Sequence, residues 1–149
     1  MTLQRPRTPL LAVDLIIRHR AQPGRVLVIE RRNPPFGWAL PGGFVDDGEP
    51  AEAAAVREAL EETALAVRLE ALLGVYSEPS RDIRGHTVSA VYVARGEGEA
   101  RAQDDAIALT WLDPDDRNFA LAFDHRQILD DYLRYRVTGE TAPLRHVSR

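Results

Sequence analysis

The stretch from Pro50 to Thr63, dominated by alanine, leucine and glutamate, is flanked on both sides by runs of aliphatic and β-branched residues. Its residues are strong helix formers, and Pro50 suits a first helical turn, where its missing N–H is not needed. The flanking runs read as strands: Leu10 to Ile17 and Val26 to Ile29, joined by a turn at Pro23-Gly24, then Leu72 to Tyr76, Thr87 to Ala94 and a short strand at Ala108 to Leu112. A last helix is expected from Asp124, whose carboxylate would cap it while Gln127 reaches back. Ile128, Leu129, Tyr132 and Leu133 give this helix an apolar stripe, Gly139 is a plausible stop, and the tail beyond is expected to be loosely ordered. For 149 residues, this pattern predicts a single domain over residues 1–149, an α/β or α+β sandwich with a mixed sheet between helical layers.

Two segments read as shaped loops. Arg32 to Gly43 carries Pro34, Pro35, Gly37, Pro41, Gly42 and Gly43, leaving room for at most a short strand at Trp38 to Leu40. Ser77 to His86 is polar throughout except for Pro79, Ile83 and Gly85. Asp14 interrupts the first apolar run and reads as a satisfied or edge-facing polar group.

Composition narrows the chemistry. Without cysteine there is no thiol nucleophile, disulfide, iron–sulfur cluster or ordinary structural zinc site. All 19 basic residues are arginine, so lysine Schiff bases and phosphate-loop lysines are also excluded. A net charge of -4 disfavours nucleic acid as a partner. No apolar run approaches the roughly 18 residues of a transmembrane helix and no secretory leader is legible, so a cytoplasmic setting is expected.

On a helix, Glu58, Glu61 and Glu62 fall within an arc of roughly 100°. A solvated face is the plainer reading, with Val56, Leu60 and Thr63 packed on the sheet opposite. Like charges four residues apart repel, however, and the same face carries only Ala51, Ala54 and Ala55 one to two turns earlier. Small residues there would let a loop such as Gly42-Gly43 approach. Arg57 can pair with Glu61 or fold back toward Glu49. Oxygen-only donors suit magnesium, calcium or manganese.

Gly43, five residues, Glu49, seven residues, then Arg57-Glu58-Ala59-Leu60-Glu61-Glu62-Thr63-Ala64-Leu65 resembles the Nudix box. Ala64 stands where that family usually has glycine, and Ala59 where a larger aliphatic residue is usual. The resemblance implies a Nudix-type α/β/α sandwich with a mixed β-sheet, and metal-dependent hydrolysis of nucleoside diphosphates linked to another moiety. It implies Glu58 and Glu62 as principal ligands of magnesium, or of manganese, with Glu61 as a third and a carbonyl of the Gly42-Gly43 loop as a fourth. Arg57 would orient the carboxylates. The general base stays open between Glu58 and Asp104 or Asp105, for which an acidic surface loop is the alternative.

Gly74 to Ser77, Arg81-Asp82, Arg84-Gly85-His86 and Ala122 to His125 resemble ADP-ribose pyrophosphatases, although Ile83 stands where proline is expected. By that likeness the substrate is ADP-ribose, cut to AMP and ribose 5-phosphate. Arg81, Arg84 and His86 are candidates to grip phosphate or ribose, and Phe36 or Trp38 to stack adenine, with core packing the safer reading for Trp38 and a structural role for His125. Alternatives are a nucleoside triphosphate, a dinucleoside polyphosphate or NADH as substrate, or a nucleotide-sensing module that does not cut. The expected partner is a small nucleotide, without membrane or nucleic acid, and a homodimer is left open.

Overall fold

The computed structural model describes residues Leu3 to Val147. In chain order the elements are β1 (Leu10–Arg18), β2 (Val26–Arg31), β3 (Gly37–Ala39), β4 (Gly42–Phe44), α1 (Ala51–Thr63), β5 (Ala66–Tyr76), β6 (Thr87–Glu97), β7 (Ala106–Leu112) and α2 (His125–Thr138). One sheet has the order β4-β1-β6-β5 and is mixed, with β1 parallel to β6 and antiparallel to β4; the other is antiparallel in the order β3-β2-β7. β1 and β2 thus do not pair, and the turn that joins them carries the chain from one sheet to the other.

The apolar runs of β1 and β2 are continuous because both faces of each strand are covered. Val13, Leu15, Ile17 and Leu27 pack in a cluster with Ala54, Ala55 and Ala59 of α1. Ile16, Val26 and Val28 point the other way, into a cluster with Ile128, Leu129 and Tyr132 of α2. The result is the expected α/β/α sandwich. No described helix is long and apolar enough to cross a membrane.

The contact face of α1 corrects one expectation. Ala54, Ala55, Ala59, Glu62 and Thr63 are buried, whereas Val56 and Leu60 are 40% and 53% exposed. Alanines let the helix axis approach β1 and β4 closely, and that turns the glutamate face inward. The helix closes at Ala64 with φ 63°, its N–H donating to the Leu60 carbonyl at 3.0 Å. A left-handed alanine costs about 1 kcal/mol that glycine avoids. Ala64→Gly is therefore expected to raise the melting temperature by roughly 2–4 °C; a thermal melt that shows a decrease would mean that the methyl group packs usefully.

Four further features differ from expectation. β4 was hidden by its two glycines, and β5 starts at Ala66 because its first half alternates polar and apolar residues and carries bulges between Leu69 and Ala71 and between Leu72 and Gly74. Asp124 does stand at the N-cap of α2 but makes no side-chain cap bond, since its carboxylate is taken by Arg81. The tail beyond Gly139 is tied down: the Ala142 N–H donates to the Leu73 carbonyl at 2.7 Å, and Arg145 pairs with Asp131. A Cβ on Gly74 would stand 2.7 Å from that of Ala142, so the strand needs glycine where the tail crosses it.

Candidate active site

A cavity of about 240 Å³ opens between α1, the middle of β1, the loop that ends in Arg84 and the start of α2. One wall is acidic. Glu62, 6% exposed, accepts the Gly42 N–H at 3.1 Å. Burial pushes its carboxyl up to about 8, against the pull of that hydrogen bond, and repulsion from Glu58, Asp14 and Asp105 adds to the rise. Glu58 is also raised, first by burial and then by Glu61 and Asp105, although Arg57 pulls it back.

Arg57 organises this wall from behind. Its Nη1 donates to Glu58 at 2.9 Å and Glu61 at 3.1 Å, while Nε and Nη2 form a fork on Glu49 at 3.1 and 2.5 Å, and Nη2 also reaches the Phe44 carbonyl. It thus makes both of the pairings that the sequence left open. A Cβ on Gly43 would overlap the Glu58 carboxyl, so glycine there is what allows the loop to close over the helix.

Asp14 forms the floor, where Ser89 Oγ donates to it at 2.6 Å and His125 Nε2 lies 3.6 Å away. The Leu40 N–H donates to His125 Nδ1 at 2.9 Å, which leaves the ring proton on Nε2, facing Asp14. The structural role expected for His125 is therefore to join the β3–β4 loop to the floor of the cavity. Asp14 is satisfied as expected, yet it also lines the cavity.

The opposite wall is cationic. Arg84 forms a fork on Asp82 at 3.0 and 2.8 Å and lies over the rings of Phe44 and Phe123, at 5.5 and 5.6 Å. Arg31 also lies over the Phe123 ring, 5.0 Å from its centroid. Burial, followed by repulsion from Arg84, lowers the pKa of Arg31. Arg81 is committed elsewhere: its side chain is 4% exposed and grips Asp124 in a bidentate pair at 2.9 and 2.8 Å.

Gly43, Glu58, Glu62, Arg81, Arg84 and Asp105 thus share one cavity. Asp105 accepts the Asn33 amide at 3.1 Å, whereas Asp104 is a turn residue with φ 50° outside the lining. Arg57 and Glu61 stand just outside the cavity. His86 lines a neighbouring groove, within hydrogen-bond distance of the Ser77 carbonyl, and Phe36 is 69% exposed; neither reaches the cavity. Trp38 packs against Phe119 and the core. Sequence reading passed over Arg31 and Phe123. Arg31 closes a buried strand beside the proline-rich loop, a detectable signal, whereas Phe123 has φ 55°, which nothing in the sequence announces.

Among the described residues no three carboxylate or imidazole groups already converge as a metal cage. Glu58 and Glu61 are turned to Arg57, and Glu62 to Gly42. The chemistry still fits a hard divalent cation: the donors are all oxygen, the buried Glu62 and half-buried Glu58 have raised pKa values, and several carboxylates repel one another across the cavity.

The molecule is thus a sandwich with a carboxylate helix on one side of a cavity and guanidinium groups on the other. The chain belongs to the Nudix family: the NUDIX domain matches residues 8–132. Nudix hydrolases work with divalent metal ions. The chain is 46% identical over 131 residues to an ADP-ribose pyrophosphatase of Methanocaldococcus jannaschii, across 86% of this chain and 75% of that protein. It is similar to a solved MutT/nudix family protein of Enterococcus faecalis, with TM-score 0.76 and 30% identity over 91% of this chain and 65% of the other, slightly under two thirds of that protein's length. It is also similar to the NUDIX domain of Shewanella oneidensis NrtR solved with ADP ribose, with TM-score 0.75 and 31% identity over 89% of this chain and 90% of the other.

Proposed function

We propose that the protein hydrolyses the pyrophosphate bond of ADP-ribose to AMP and ribose 5-phosphate, using magnesium, with manganese as an alternative. The observation that carries this reading is the two-sided charge of one cavity, Glu58 and Glu62 facing Arg84 and Arg31. A diphosphate is drawn to the cationic wall while the acidic wall holds its counterions. The likeness to the archaeal pyrophosphatase supports the choice of substrate.

In this reading Glu58 and Glu62 are the principal metal ligands, with Glu61 and the Gly43 carbonyl completing the set. When bound, a divalent ion would supply positive charge for the phosphate oxygens and acidify a water. Arg57 fixes the rotamers of Glu58 and Glu61. Arg84 presents a guanidinium to the phosphates. Asp105 or Glu58 accepts the proton of the attacking water, whose oxygen ends on one phosphate while the bridging oxygen leaves with the other. Arg81 acts on this wall through Asp124. His86 and Phe36 enter only where the ligand extends beyond the cavity.

A sensing module that binds without cutting is the second reading, favoured by the likeness to the NrtR NUDIX domain solved with ADP ribose and opposed by the intact set of Arg57, Glu58, Glu61 and Glu62. One assay separates them: ADP-ribose with magnesium is expected to give equal amounts of AMP and ribose 5-phosphate. Saturable binding with no products would establish the sensor. Much faster turnover of a triphosphate, dinucleoside polyphosphate or NADH would overturn the substrate and leave the hydrolase.

A further inference from the structure

At the far end of β1 the same sheet carries an unusual row. Arg18 on β1 is the register partner of Arg95 on β6, and Arg95 is the register partner of Arg68 on β5. Register partners on neighbouring strands share a face, and like charges placed directly opposite one another are destabilising. Beside this row is a groove of about 180 Å³ lined by Arg18, Arg20, Arg25, Arg95, Arg136 and Tyr132. Two carboxylates answer them: Glu70 pairs with Arg18 at 2.6 Å and Asp115 lies 3.6 Å from Arg136. Arg20, Arg25 and Arg95 make no ion pair among the described residues, and the Nε–H of Arg18 is buried without an acceptor. This concentration of positive charge occurs on a chain of net charge -4.

The groove is separate from the catalytic cavity. Asp14 lines one and Arg18 the other, four residues apart on one strand and therefore about 13 Å distant. The sheet holds its arginines in place, and Arg136 lies 5.9 Å over the Tyr132 ring. Several guanidinium groups lining one groove suit a tetrahedral dianion. We propose that this groove is a second anion site, which takes a phosphate group, either as free phosphate or as the end of a small phosphate ester.

The site gives two effects of opposite sign. Arg95→Ser relieves the repulsion of the row, so it is expected to raise the melting temperature in sodium chloride. It is also expected to remove more than half of the additional stabilisation that inorganic phosphate provides over chloride at matched ionic strength. Arg101→Ser, outside both the groove and the cavity, is the charge control and should retain the phosphate increment, while Arg84→Ser removes only the share that the cavity itself supplies. Glycerol phosphate in place of inorganic phosphate identifies the source: an equal increment shows that esters enter, and its loss shows that only the free ion fits. An increment retained in Arg95→Ser and lost in Arg84→Ser would overturn the site, as would no saturable increment in the parent protein. Should Arg95→Ser fail to fold, Arg25→Ser, on the exposed turn, carries the same test.

Discussion

Turnover is expected to fall at least about a hundredfold in Glu58→Gln and in Glu62→Gln, with each protein still folded, because each loses an anionic oxygen that the transition state depends on. Near-parental rates for both at saturating magnesium would remove these residues from the metal site. Glu62 also fixes a pH signature. Its folded pKa, raised to about 8 chiefly by burial, exceeds the unfolded value near 4.5, so between those limits the folded state holds more protons than the unfolded one. Metal-free stability should therefore decline as pH rises from about 4.5 to 8, and the decline should flatten in Glu62→Gln. Binding requires the ionised carboxylate, so magnesium affinity should climb over the same window and level off above it. Melting curves at several pH values, with and without magnesium, measure both slopes.

Arg81→Met is expected to cost more stability than any other substitution considered. The guanidinium is almost fully enclosed and forks onto Asp124, and breaking a buried pair by removing one partner typically costs 3–5 kcal/mol because the other charge is stranded. For a chain of this length that corresponds to a fall in melting temperature of roughly 10 °C. Asp124→Asn added to Arg81→Met should recover part of the loss. A single-variant loss below about 1 kcal/mol would mean that water reaches Asp124 once Arg81 is gone.

Much of this was legible in the chain. Helical spacing alone read Glu58, Glu61 and Glu62 as a solvated face; it is the resemblance of Gly43 to Leu65 to the Nudix box that brought Gly43, Glu58 and Glu62 together, and these three line one cavity, whereas Glu61 stands outside it. The apolar runs of β1, β2 and β6 announced themselves through length and β-branching. What escaped notice depended on contacts distant in sequence. Nothing near Asp124 shows that Arg81 will claim its carboxylate in preference to a helix cap. The burial of α1 was misjudged because hydrophobicity favoured Val56 and Leu60, whereas close approach of the sheet favoured small side chains. The tail looked featureless because its anchors, Leu73 and Asp131, lie on β5 and α2. The cationic wall needs β2, the loop before β6 and the turn before α2 to meet, and no local pattern encodes that meeting.

The division of the strands between two sheets has a consequence for the order of assembly. During synthesis β1 is made well before β6, its parallel partner, which follows only after α1 and β5. β2 likewise waits for β7. Until those later strands exist, β1 and β2 each keep one pairing edge open, and the face that α2 will cover has no helix on it. Pairings so distant along the chain slow folding, since the loop must close before any contact rewards it. The nascent chain therefore passes through an interval in which these apolar segments are exposed, and shielding by chaperones matters until β7 is complete.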